Sequence, residues 1–383
     1  MNTFNFVLQP QLYSYIFYIT IFILCVSTVL FYASASGDSI FNLKKTSEYR
    51  SMALAGFITL ILILFIGFRP TSGVYFVDMG YYAHSYNYIY KEYVPLDFST
   101  EWLWANFSYF CKDFGLSENE YFAVCELLYI GFMLLACIKL SKNNLWVALL
   151  FCFSSFSFFS YGVNGIRNGI ACSILMYAIA LLTGNKKEIF ISIILMIISY
   201  GIHHSIFLPA FCSIAALFLV KEPKYAIAFW GASIFISLIA GNIIGDFFST
   251  LGFDKRVSYF EESSMIEIDD SSIVDDRFRW DFLLYSAMPI LLVWYLTIKR
   301  EFKDKSFNLL ANTYILANAF WIMVIRANFS NRFAYLSWFL YPIVIFYPLL
   351  RFKIWDNQDR NSALILLAYS GFTFFMQFVY YAK

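Results

Sequence analysis

Three arginines stand where a basic residue is out of place. Arg167 lies within NGIRNGIA at 164–171, at the head of an apolar run, between Gly165 and Gly169 and between Asn164 and Asn168. A cation at a helix start opposes the helix dipole, so something must compensate it. The glycines let backbone approach closely, and a planar guanidinium fork suits a phosphate or a carboxylate. The competing reading is an arginine that snorkels to the lipid headgroups. Arg326 and Arg332 bracket another short connection, within RANFSNRFAYLSWF at 326–339. With Arg167 they make a set of cations suited to clamping one anion, for which a lipid diphosphate is the obvious candidate. Ordinary headgroup contact is the alternative.

His203 and His204 are two of the three histidines in the chain. Histidine moves a proton near neutral pH, and its neutral ring can donate to a phosphate oxygen. A purely structural role, bonding carbonyls freed by a broken turn, fits equally well. The stretch DMGYYAHSYNYIYKEY at 78–93, with Tyr81 in it, offers rings for sugar C–H faces and hydroxyls for sugar hydroxyls. The same stretch also reads as an interfacial helix with an aromatic belt. Asp78, Glu101 and Glu126 are acids near or within apolar surroundings. A carboxylate that faces an outer cavity can serve as general base for a hydroxyl.

The elements that must position these groups are membrane helices. Of 383 residues, 60% are hydrophobic and only 14% charged, against roughly a quarter charged in soluble domains. A dispersed globule and a disordered chain are both excluded. The formal charge of +1 removes any global case for nucleic acid. Twelve apolar runs follow one another: 12–33, 51–68, 121–138, 145–161, 166–183, 189–202, 205–220, 225–245, 281–298, 307–325, 333–350 and 361–381. Lysine and arginine collect in every odd-numbered connection, as cytoplasmic loops do: Lys44, Lys45 and Arg50; Lys139 and Lys142; Lys186 and Lys187; Lys221 and Lys224; Lys299 to Lys305; Arg351 to Arg360. The alternation holds only if 189–220 crosses twice. It predicts an all-α, polytopic bundle of about twelve transmembrane helices, forming one transmembrane domain over 1–383. Both termini and the stretches 69–120 and 246–280 then face outward. The N-terminus lacks a basic region ahead of its first apolar run, so that run reads as a retained helix.

As one helix, 189–220 would be about 48 Å long, against a hydrocarbon core of about 30 Å. The residues GIHHS at 201–205 sit at its middle, which predicts a break there and a hairpin whose turn dips below the outer surface. Broken backbone at that depth is tolerated where protein or a watery cavity surrounds it. The stretch 246–280 holds nine acidic and four basic residues without apolar periodicity, and reads as a solvated loop. Seven cysteines show no CxxC spacing or Cys/His cluster, so neither zinc nor a disulfide framework is implied.

The order Asp78…Tyr81, Glu101, NGIRNGIA, a hairpin with His203-x-Ser205, and Arg332-x-x-Tyr335 resembles the EpsG family, the Wzy-type polymerases of bacterial O-antigen, capsule and exopolysaccharide. The resemblance covers about residues 50–345, and its most specific parts are Asn164-x-x-Arg167-x-Gly169 and His203-x-Ser205. The family commonly has Gln after the arginine, where this chain has Asn168, so no role passes to that residue. The resemblance implies a GT-C-like glycosyltransferase in the bacterial inner membrane, open laterally to lipid. Its reaction would join undecaprenyl-diphosphate-linked oligosaccharide repeats at the periplasmic face. Arg167 and Arg332, with Arg326, would stabilise the leaving diphosphate. Neutral His203 would donate to it, and Asp78 or Glu101 would activate the acceptor hydroxyl. Asn164, Tyr81, Tyr335 and His204 are the implied substrate contacts. No metal or cofactor is called for, since three arginines supply the charge and no outward Asp-x-Asp motif is present. The implied partners are the lipid-linked oligosaccharide, membrane lipid, and the flippase and chain-length regulator of the same pathway. Two other classes share parts of this inventory. A lipid-linked oligosaccharide flippase or transporter should carry an internal repeat, which is not seen; an O-antigen ligase or membrane acyltransferase would use similar Arg and His residues.

Overall fold

The apolar runs fold as helices, each coinciding with one helix or with a broken pair. A computed structural model describes residues 9–34, 45–141, 144–250, 278–326 and 330–380, which contain helices and no strand. Seven helical stretches among them are long and apolar enough to cross a membrane: Pro10–Tyr32, Glu48–Gly67, Glu118–Leu140, Pro223–Ala240, Trp280–Lys299, Arg332–Arg351 and Gln358–Tyr380. Ile166–Leu181 and His204–Phe218 are apolar but shorter. The expectation of a solvated loop falls mostly on 251–277, outside the described residues, as do Lys44 and Lys142 of the basic connections.

The chain divides into two compact units. The first comprises residues 1–204 and 346–383. It contains α1 (Pro10–Ser34), α2 (Lys45–Gly67), α3 (Val77–His84), α4 (Trp102–Asp113), α5 (Glu118–Leu140), α6 (Leu145–Phe153), α7 (Phe158–Val163), α8 (Ile166–Leu181) and α9 (Lys186–Ile202). The stretch 69–120, read as a polar and aromatic outer loop, thus holds two short helices. Local chemistry sets several boundaries. Ser117 and Glu120 form a reciprocal capping box at the start of α5, and Asn185 with Glu188 forms another at α9.

Helix α8 is the centre of this unit, flanked by α5 and α9, with nearly every side chain after Arg167 buried. Serines draw α9 against it: Ser192 Oγ donates to the Ala178 carbonyl and Ser199 Oγ to the Ala171 carbonyl, each at 2.7 Å. Such bonds are how polar residues join helices in lipid. The end of α9 rests on α4, where a Cβ on Gly201 would lie only 3.0 Å from Leu103.

The second unit spans 205–345. Its helices are α10 (Phe207–Phe218), α11 (Pro223–Thr250, kinked at Ala240), α12 (Trp280–Trp294), α13 (Lys305–Met323), α14 (Ser330–Trp338) and the first turn of α15 (Tyr341–Arg351). Here α13 is central and packs on α10, α11, α12 and α14. The last helix, α16 (Gln358–Phe375), belongs to the first unit and packs on α1.

Candidate active site

Arg167 is the second residue of α8, after Gly165 in the N-cap position. Its charge opposes the dipole, and the compensation comes from Glu101. Glu101 occupies the N-cap position of α4 but makes no cap hydrogen bond with its side chain. Its carboxylate instead bridges two partners: Oε2 accepts from Arg167 Nη1, and Oε1 is hydrogen-bonded to His203 Nδ1. His203 is the residue that ends α9. Its backbone is extended there, with φ −151° and ψ 118°, which is the break expected between the two apolar runs.

The cluster is largely dry. The side chains of Glu101, Arg167 and His203 are 21%, 24% and 6% exposed, so their charges act through little water. Burial pushes the Glu101 carboxyl up, but the His203 hydrogen bond and the positive neighbours outweigh it and hold it at about 2, against an ordinary 4.5. The tautomer of His203 follows from its partner: a carboxylate accepts only, so Nδ1 carries the proton and the neutral ring has its lone pair on Nε2.

Around this core stand further groups. The Arg167 guanidinium lies over the Tyr82 ring, 5.5 Å from its centre. Tyr82 is buried on α3, and burial pushes its hydroxyl above the ordinary 10, so it remains a phenol. Asp78, one turn earlier on α3 and half-buried, lies within electrostatic reach of Tyr82. Arg167 Nε and Asn164 Oδ1 are buried polar atoms with no hydrogen-bond partner among the described residues. His204 turns away from the carboxylate: its Nε2 meets the Thr100 carbonyl at 2.9 Å, and its ring stacks on Tyr200 at 4.6 Å. The two histidines therefore dock on adjacent residues, Thr100 and Glu101.

The structure thus brings together Glu101, Arg167 and His203, with Asp78 within electrostatic reach of the Tyr82 that lies under Arg167. Tyr81 is exposed, 57%, and its neighbour Tyr82 is the ring under Arg167. The (i, i+4) spacing of Asp78 and Tyr82 on one helix was the available signal for that choice. Arg326, Arg332 and Tyr335 lie in the second unit, all half-buried, and Arg326 Nε is a buried donor with no partner among the described residues. Tyr335 packs against Trp338, ring centres 5.5 Å apart. Glu126, read as an acid near or within apolar surroundings, is 1% exposed and faces Arg69. Among the described residues no cluster of three or more His, Cys, Asp or Glu residues has metal-binding geometry.

Comparison with curated proteins and with solved structures yields no match. A family model does match, and it takes in every residue of the cluster. It spans residues 52–383, and on that span the chain belongs to the EpsG family, whose members are Wzy-like polymerases.

Proposed function

We propose that this protein is a polysaccharide polymerase that joins undecaprenyl-diphosphate-linked oligosaccharide repeats at the periplasmic face of the bacterial inner membrane. The observation that carries the reading is the Glu101 carboxylate bridging Arg167 and His203 in a chain of this family. In the reaction, a hydroxyl at the non-reducing end of a new repeat attacks the anomeric carbon of the growing chain. The new C–O bond forms, and the bond from that carbon to the diphosphate oxygen breaks. The electron pair leaves with the lipid diphosphate, and the hydroxyl proton passes to a base.

The geometry supports a division of roles different from the one the resemblance implies. A carboxylate held at about 2, with both oxygens engaged, is a weak base. His203 with Nδ1–H given to Glu101 has only a lone pair at Nε2 while neutral, so it accepts a proton more readily than it donates one. We therefore assign His203 Nε2 as the base and Glu101 as the residue that fixes its tautomer and orientation, the logic of a carboxylate–histidine dyad. Arg167 commits Nη1 to Glu101, and its unpartnered Nε is suited to an oxygen of the departing diphosphate. Asp78, which the resemblance implies as the alternative to Glu101 for activating the acceptor hydroxyl, becomes in this proposal a contact for the acceptor sugar. Asn164, Tyr81 and His204 stay as substrate contacts, and Arg326, Arg332 and Tyr335 as contacts for the donor, on residue type and sequence position. The proposal also keeps about twelve crossings, both termini outside, one GT-C-like transmembrane domain, and the pathway's flippase and chain-length regulator as partners.

Cells lacking only this protein test the reading. They should display lipid cores or carriers bearing a single repeat, with long chains restored by the wild-type gene. Long chains persisting in the deletion strain would overturn it.

A further inference from the structure

A second arginine–carboxylate pair lies in the first unit, deeper than the first. Arg69 follows α2 and is 0% exposed; Glu126 on α5 is 1% exposed, with Oε1 3.6 Å from Arg69 Nη1. Nη1 also donates to the Ile66 carbonyl at 2.6 Å, and Nη2 to the Val163 carbonyl at 3.4 Å. The guanidinium lies 5.7 Å from the ring centre of Phe76 and 5.4 Å from that of Phe122. Burying a guanidinium and a carboxyl group this completely carries a large desolvation cost, and such groups in membrane helices mark function more often than stability.

The contacts identify what the pair holds. Val163 is the last residue of α7; Asn164 and Gly165 follow it and lead into α8, two residues before Arg167. Glu126 fills the space beside Gly162, where a Cβ would stand 3.1 Å from Oε2. Phe76 immediately precedes α3, the helix that carries Tyr82 under Arg167. The buried pair therefore touches both the elbow that leads into Arg167 and the helix that supports its guanidinium.

We propose that Arg69 and Glu126 are positioning residues: a buried polar lock that fixes the α7–α8 elbow and thereby sets where Arg167 meets the diphosphate. This rests on the reading of Arg167 as the group that binds the leaving anion. The lock does not touch substrate. It acts through the Val163 carbonyl and the Gly162 backbone, on which the direction of the first turn of α8 depends.

Two substitutions test it, each in purified protein in lipid nanodiscs. Arg69→Lys keeps the charge and loses the fork that reaches Val163. Gly162→Ala keeps both side chains and presses a methyl against the Glu126 carboxyl group. Two readouts are taken: steady-state elongation of a lipid-diphosphate-linked repeat, and the labelling rate of Asn164→Cys by a polar maleimide, the native cysteines being buried. The expected result is a fall of about 10²-fold in kcat with donor KM held within about threefold, the signature of lost transition-state alignment. Labelling at position 164 should accelerate about tenfold as the elbow loosens by local opening. Wild-type kcat in folded variants overturns the proposal, as does a kcat loss with an unchanged labelling rate. Should Arg69→Lys fail to insert, Gly162→Ala decides alone. If the wild-type chain elongates nothing, the functional reading falls, and the labelling rate still decides the lock.

Discussion

Replacing Glu101 with glutamine keeps the side chain's size and removes the charge that Arg167 and His203 share. A carboxyl held at about 2 rather than 4.5 has its charged form favoured by roughly 3 kcal/mol. Because the folded value is depressed, that stability is fully present above pH 4.5 and is lost as pH falls towards 2. Glu101→Gln should therefore melt below wild type at neutral pH, by the equivalent of about 2–3 kcal/mol, with the gap closing across the acid window. The catalytic loss should be larger. Without the carboxylate nothing holds the proton on Nδ1, and the matching change in Ser-His-Asp enzymes costs about 10⁴ in kcat. Elongation by Glu101→Gln should fall by about 10³- to 10⁴-fold, measured as initial rates of ladder growth at matched protein levels. Glu101→Asp keeps the charge but is one methylene too short to reach both partners, and should fall between. A Glu101→Gln protein that elongates within about tenfold of wild type would refute the dyad.

Arg167→Lys keeps a cation but loses the fork and its Nε donor, so polymerisation should collapse while the protein still inserts; gels of surface polysaccharide report it. His203→Ala and His203→Gln should be equally inactive if Nε2 is the base, whereas substantial activity in the glutamine variant would restore the donor role. His204→Ala loses one bond to the Thr100 carbonyl and a stacked ring, so its chains should shorten only modestly. Gly169→Ala sets a methyl 3.0 Å from the Tyr161 carbonyl oxygen; it should destabilise by about 1–3 kcal/mol and lower activity in step.

The helices were legible in the sequence because hydrophobic run length is a local signal. The break at His203 was legible for the same reason, from the length of 189–220 and the GIHHS at its middle. The need for an anion beside Arg167 also followed from its place at a helix start. Which anion did not follow. Glu101 lies 66 residues before Arg167 and 102 before His203, and only tertiary packing of α4, α8 and α9 brings the three together. From the sequence, Arg69 reads simply as a residue that ends a helix ahead of Pro70. Yet a cation at the end of α2 away from its basic connection breaks the charge alternation just as Arg167 does, and its counter-ion is Glu126.

The most direct test follows the fate of the lipid diphosphate when the purified protein is given a labelled, lipid-diphosphate-linked repeat. The account predicts a ladder of lengthening chains, with one free lipid diphosphate released for each linkage formed. Release of lipid diphosphate without longer chains, or transfer of repeats only to an added lipid-core acceptor, would contradict it.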